Sequence, residues 1–196
     1  MTDLLIHQYL TSFGRTEQVT DWKPFGHGHI NDTILIRTKG DEAPDFILQR
    51  KNHYVFKNVP GMLNNIRLVT GHIRSKLLAE GEPEIDRKVM NYLSTKDGKQ
   101  YIQDESGNYW TLFLFVCNSH GIEEVTHADQ AYSAGNAFGK FQLQLSDLDG
   151  TKLIETIPNF HNGKFRYQQF LDAISLNAAG RCASMQTEIK QLLHRS

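Results

Sequence analysis

"KPFGHGHINDTILIRTKG", residues 23–40, decides how the rest of the chain is read. Two glycines and two histidines lead into an Asn, a Thr and a run of β-branched residues, so residues 19–25 and 32–38 read as two strands joined by a Gly-His-Gly-His turn. A short glycine-containing hairpin needs no ligand. The same residues also suit a loop folded over phosphates. Gly26 and Gly28 tolerate positive φ and leave room for oxygens, and the backbone N–H groups around His27, His29 and Ile30 are placed to donate. Asn31 and Thr33 are candidate polar contacts where the second strand begins.

Working outward, "DFILQR" at 45–50 is a third strand, which makes an antiparallel meander. Met62, Ile66, Val69, Ile73 and Leu77 then recur at helical spacing, with Pro60 near the start and Gly81 past the end, and predict a helix over 60–78 that packs on the sheet. Residues 87–93, 99–103 and 109–116 read as further strands, with "DESGN" supplying the turn between the last two. "YWTLFLFV" is apolar on both faces, which predicts a central strand. Upstream, Leu4, Leu5, Tyr9 and Leu10 predict a short opening helix stopped at Phe13-Gly14. Beyond about residue 125 helices dominate. One carries Ala131, Ala134, Phe138, Phe141 and Leu145, with Thr126 as its cap, and two more are expected over 164–178 and 183–194.

A formal net charge of −1 gives no bulk attraction to nucleic acid or to an anionic membrane, so neither is an expected partner. No apolar run approaches the roughly 20 residues of a membrane helix, and the N-terminus lacks a leader pattern, so a cytoplasmic location is expected. Cys117 and Cys182 form no C-x-x-C pattern and are expected to be buried, reduced thiols. His27, His29, His53 and His72 have no carboxylate or thiolate at ligand spacing, so no metal site is expected there.

Taken together, "GHINDTILI" (28–36), "FILQRKNHYVFKNVPGMLNNIRLVTGHI" (46–73) and "AGNAFGKFQLQLSDLDG" (134–150) resemble the aminoglycoside phosphotransferase and choline kinase superfamily, most closely its N-acetylhexosamine 1-kinase branch. The resemblance implies an α+β fold: a protein-kinase-like small lobe, an antiparallel β-sheet with one inserted helix, over 1–117. The first helices of the large lobe would follow over 118–196. It implies an ATP site in which the glycine hairpin covers the phosphates, while the backbone of Phe115, Val116 and Cys117 meets adenine. In the general kinase pattern the third strand carries a Lys that meets the phosphates and is held by a helix Glu. Here Gln49 occupies that position and the 60–78 helix has no acidic residue. A Glu left beside a neutral Gln would be a costly buried charge, so the joint loss is coherent. Gln49 is then free to bond Asn64 or Asn65. Arg50 and Lys51 are candidates for the missing cation, with Arg67 a more distant one, and a solvated strand-end charge is the plain alternative for Arg50.

Phosphoryl transfer in this superfamily also needs a His-x-Asp loop followed by Asn, and a later Asp on Mg²⁺. The contexts of His120, His127 and His161 do not supply it: His127-Ala128-Asp129 has the first letters but opens a predicted helix. The chain is therefore expected to be a partial protein, inactive alone, that takes part in moving the γ-phosphate of ATP to the anomeric hydroxyl of an N-acetylhexosamine in the complete protein. The expected partners are nucleotide and sugar. The alternative is a noncatalytic nucleotide-binding or interaction module. Unpaired helix faces at Phe170/Ile174 and Ile189/Leu192 predict self-association.

Overall fold

The computed structural model describes residues 1–40 and 42–195, in two compact units, Met1–Thr156 and Ile157–Ser196. The first unit is built on a five-stranded antiparallel sheet of order β1-β2-β3-β5-β4: β1 Val19–Pro24, β2 Asp32–Thr38, β3 Phe46–Lys51, β4 Ile102–Gln103 and β5 Tyr109–Leu114. Between β3 and its neighbour β5 the chain inserts α2 (Val59–Ala79) and the single-turn α3 (Ile85–Lys88). The fold is thus mixed α+β, and β5 is an interior strand, as its two-sided apolar pattern predicts.

Strand alternation divides the sheet into two unlike faces. Ile34, Ile36, Phe46, Leu48, Trp110 and Leu112 point one way and form one core with Ile6, Tyr9, Leu10 and Phe13 of α1 (Asp3–Ser12). Each of those large side chains, fully buried, contributes about 1.5–3 kcal/mol. Leu35, Ile47 and Thr111 are also buried but alternate to the opposite face, which they share with the polar Thr33, Gln49 and Lys51. The first face stabilises the sheet; the second carries the polar chemistry.

Several sequence expectations are corrected. Residues 87–93 do not form a strand. Glu84 enters at φ 52°, and Asp86 is bound by Arg74 Nη1 at 2.6 Å and Asn91 Nδ2 at 2.9 Å, which closes residues 85–88 into a turn of helix. Only a remnant of pairing survives: Leu93 N–H donates to Leu112 O at 2.8 Å, and Leu114 N–H to Asn91 O at 3.1 Å. Of 99–103, only Ile102–Gln103 pairs, because Thr95 has already engaged Lys99, its Oγ1 accepting from Lys99 N at 3.1 Å. α1 covers one face of the sheet core, and the C-terminal half of α2 brings Ile73 and Leu77 together with Val89, with Val69, Ile85 and Leu145 packed against them.

At the start of α2, the Asn58 side chain accepts from Gly61 N–H at 2.9 Å, and Asn65 exchanges two hydrogen bonds with the Ile154 main chain, at 2.7 and 3.0 Å. A Cβ on Gly61 would overlap Ile154 Cδ1 and lie 2.6 Å from Asn58 Nδ2. Alanine ordinarily gains up to about 1 kcal/mol over glycine in a helix. Here the lost cap, about 1 kcal/mol, and the overlap, about 1–3 kcal/mol, outweigh that gain. Gly61→Ala should therefore lose about 1–3 kcal/mol in urea unfolding; a gain would show that the Ile154 contact is not closely packed.

Beyond the sheet, α4 (Ala128–Gln144) starts at His127 rather than Thr126. Gln130 Oε1 accepts from both His127 N at 3.2 Å and Thr126 N at 2.9 Å. Its apolar stripe is open to solvent, with Phe138 71% exposed. Only its C-terminal end is tied to α2. Lys76 Nζ donates to Gln144 O at 3.1 Å and to Asp147 Oδ1 at 2.7 Å, and His72 Nε2 lies 2.9 Å from the same carboxylate. Those contacts, Lys76 first and His72 second, hold the Asp147 carboxyl at about 2. In the second unit, α5 (Gly163–Leu176) and α6 (Gln186–His194) contain no buried residue. Phe170, Ile174 and Ile189 are half-buried and Leu192 is exposed. Both cysteines are half-exposed free thiols, so the expected burial does not hold; Cys117 lies at a strand exit and Cys182 in a 3-10 turn, outside any core.

Candidate functional site

The hairpin at 25–31 is closed where Phe25 N–H donates to Thr33 O at 2.9 Å. Gly26 has φ +79°, a conformation side chains rarely adopt, so glycine is required there for the turn itself. Nothing lies within 4 Å of a Cβ placed on Gly28. His27, His29 and Ile30 are exposed, and His27 Nε2 makes a solvent-exposed contact with Glu123 Oε1 at 3.4 Å. Asn31 and Thr33 are already engaged by protein: Asn31 Oδ1 accepts from Asn52 N at 2.9 Å, and Thr33 Oγ1 accepts from Gln49 Nε2 at 2.8 Å. They fix the hairpin against the end of β3.

On β3 the structure separates the candidate cations. Arg50 alternates to the α1 side and is taken up by Asp32, its Nε donating to Oδ2 at 2.6 Å, and by Asn108 Oδ1 at 3.3 Å. Arg67 bonds Asn64 on the exposed side of α2. Lys51 is different. It is 4% exposed, sits on the opposite face with Gln49, and has no carboxylate partner among the described residues. Its ammonium donates to Gln49 Oε1 and to the Tyr92 hydroxyl at 3.3 Å, and lies 5.4 Å from the Tyr92 ring centre. Gln49 therefore bonds Thr33 and Lys51, not Asn64 or Asn65. Burial lowers the Lys51 amine to about 8 and raises the Tyr92 hydroxyl to about 12. A cation is costly to bury unless an anion meets it, and among the described residues no anion does.

Where β5 ends, the 115–117 segment is held from several sides. Phe115 N–H donates to Asp45 O at 2.9 Å, Ser119 Oγ to Val116 O at 2.5 Å, and Arg87 Nη1 to Cys117 O at 2.7 Å. The Asp45 carboxylate binds Arg37 Nη1 at 2.5 Å and Thr38 N at 2.9 Å, with Cys117 Sγ 3.7 Å away. The Arg37 guanidinium lies 5.1 Å from the Phe115 ring centre, and the Phe25 ring meets Phe115 edge-on at 5.5 Å. The hairpin thus reaches the 115–117 segment through an aromatic contact.

Of the sequence-predicted residues, Gln49, Thr33 and Asn31 cluster at the hairpin end of the sheet, and Phe115, Val116 and Cys117 at the other end of the same strands. Arg50 faces away from both groups. The residue that sequence reasoning underweighted is Lys51. The strand alternation that puts Gln49 on the face opposite α1 puts residue 51 there too. Two grooves are present elsewhere. One, of about 1150 Å³, runs between α2 and α4 past Val69, Ile73, Phe141 and Tyr92; the other, of about 1050 Å³, lies beside α1 and β4. Neither is lined by a sequence-predicted site residue. Among the described residues, no three His, Cys, Asp or Glu side chains converge as a metal site would need. No helix among them is long and apolar enough to cross a membrane. No family model matches the chain.

Proposed function

We propose that the chain binds an adenine nucleotide across the sheet face opposite α1, as the nucleotide-binding portion of a small-molecule kinase with a protein-kinase-like small lobe. The observation that carries this reading is Lys51: a buried cation without an acidic partner, on the same face as the hairpin end and the β5 exit. Phosphate oxygens are the chemistry that would compensate it, and the hairpin amides at 27–30 are further donors. The base would lie toward Phe115, displacing Phe25 from its edge-on contact.

In the complete protein the reaction proposed is transfer of the ATP γ-phosphate to the anomeric hydroxyl of an N-acetylhexosamine, a reading supported by the resemblance of residues 28–36, 46–73 and 134–150. Mg²⁺ belongs to that chemistry. Mg²⁺ at a nucleotide is held largely by phosphate oxygens with one or two carboxylates, and among the described residues no three His, Cys, Asp or Glu side chains converge. A second reading, a module that binds nucleotide without turnover and pairs through the helix face of half-buried Ile189 and exposed Leu192, is favoured by that partly uncovered apolar face.

Thermal unfolding with ATP, ADP, AMP and GTP, each with and without Mg²⁺, tests the proposal. A nucleotide present at about 100 times its dissociation constant stabilises by about 2.7 kcal/mol. ATP and ADP should raise the unfolding midpoint by several degrees and AMP by less, since Lys51 acts on the phosphate chain. No shift with any of them rejects nucleotide binding.

A further inference from the structure

We propose that Arg87 is a positioning residue that sets which purine edge the 115–117 segment accepts. The proposal rests on the nucleotide reading above and adds base selectivity to it. Three of the segment's main-chain groups are committed inside the protein: Phe115 N–H to Asp45 O, Val116 O to the Ser119 hydroxyl and Cys117 O to Arg87 Nη1 at 2.7 Å. Among the described residues only the Cys117 thiol, at 4.0 Å, approaches the Phe115 carbonyl, and no group accepts from Cys117 N–H. What the segment offers is therefore an acceptor at 115 and a donor at 117. Adenine presents the complement, a donating N6 amine beside an accepting N1. Hypoxanthine and guanine present the reverse, an accepting O6 beside a donating N1–H.

Arg87 is what keeps that pattern one-sided. It comes from α3, where Glu84 Oε1 lies 3.8 Å from its Nε, and it caps the one carbonyl that would sit next to the Cys117 donor. With Arg87 gone, Cys117 presents an acceptor beside its donor, which is the pair an N1–H purine needs. A group that only braced the fold would weaken all nucleotides alike; this one changes their ratio.

The test is calorimetric titration of ATP and ITP into wild type, Arg87→Ala and Arg87→Lys, with unfolding midpoints recorded for all three. Wild type should prefer ATP by about tenfold or more, the scale of one purine-edge discrimination. Arg87→Ala should bring the ratio below about threefold, with ITP strengthened and ATP little changed, and Arg87→Lys should restore part of it. An unchanged ratio in Arg87→Ala, or a wild type that favours ITP, overturns the role of Arg87 while leaving nucleotide binding intact. Wild type that binds neither nucleotide removes the nucleotide reading and this inference together.

Discussion

Lys51→Met should make the protein more stable at pH 7, by about 2 kcal/mol, while weakening its response to nucleotide. Burial takes the amine from its ordinary 10.5 to about 8. A displacement of that size corresponds to about 3 kcal/mol of unfavourable burial of the charged form. Losing the contacts to Gln49 Oε1 and Tyr92 OH returns about 1 kcal/mol of that. The pH dependence has a definite sign. Between about 8 and 10.5 the unfolded chain holds more protons on Lys51 than the folded one, so wild-type stability rises with pH across that window. The penalty is complete below the folded value and gone above the unfolded one. The Met variant lacks this rise, so the two stability curves should converge toward pH 10.5 in urea titrations; parallel curves would mean that Lys51 is solvated in the folded state.

Asp45→Ala should have the opposite effect and a larger one, a loss of about 3 kcal/mol. The buried Asp45 carboxylate accepts from Arg37 Nη1 and Thr38 N, and truncation leaves both donors without it. Charge-assisted hydrogen bonds of this kind contribute about 1.5–3 kcal/mol each, reduced here because Arg37 is half-exposed. Asp45→Asn keeps an acceptor and should lose less than half as much. The effect should reach the β5 exit, because Arg37 also covers Phe115 and Cys117 Sγ rests near the carboxylate. Faster amide exchange at Phe115 in the Ala variant would register it. An unchanged exchange rate there would separate the Asp45 cluster from the 115–117 segment.

The strand meander was legible because alternation in "DTILIRT" and "FILQRK" and the glycine turn between the first two strands leave little choice of register. The opening helix and its stop at Phe13-Gly14 were legible for the same local reason. What failed was decided by side chains far along the chain. The Arg74–Asp86 bond turned an alternating segment into α3, and the Thr95–Lys99 loop shortened β4. The stripe on α4 has the periodicity of a buried helix, yet nothing in the first unit covers Phe138 or Tyr132. Periodicity reports what a helix can bury, not what is there to bury it. Sequence alone offered two cations on β3, Arg50 and Lys51, but could not rank them. Arg50 is neutralised by Asp32, its neighbour across the sheet, whereas Lys51 is shielded by Tyr92, a residue from a segment misread as a strand.

On the proposed function, Lys51 is the cation that meets a nucleotide's phosphates. Calorimetric titration of ATP into wild type and Lys51→Met at pH 7 addresses it directly. The account predicts binding by wild type and an affinity at least about tenfold weaker in the variant, the loss expected when one charge-assisted contact is removed. Equal affinity of the two proteins for ATP would contradict it, as would a wild type that does not bind ATP.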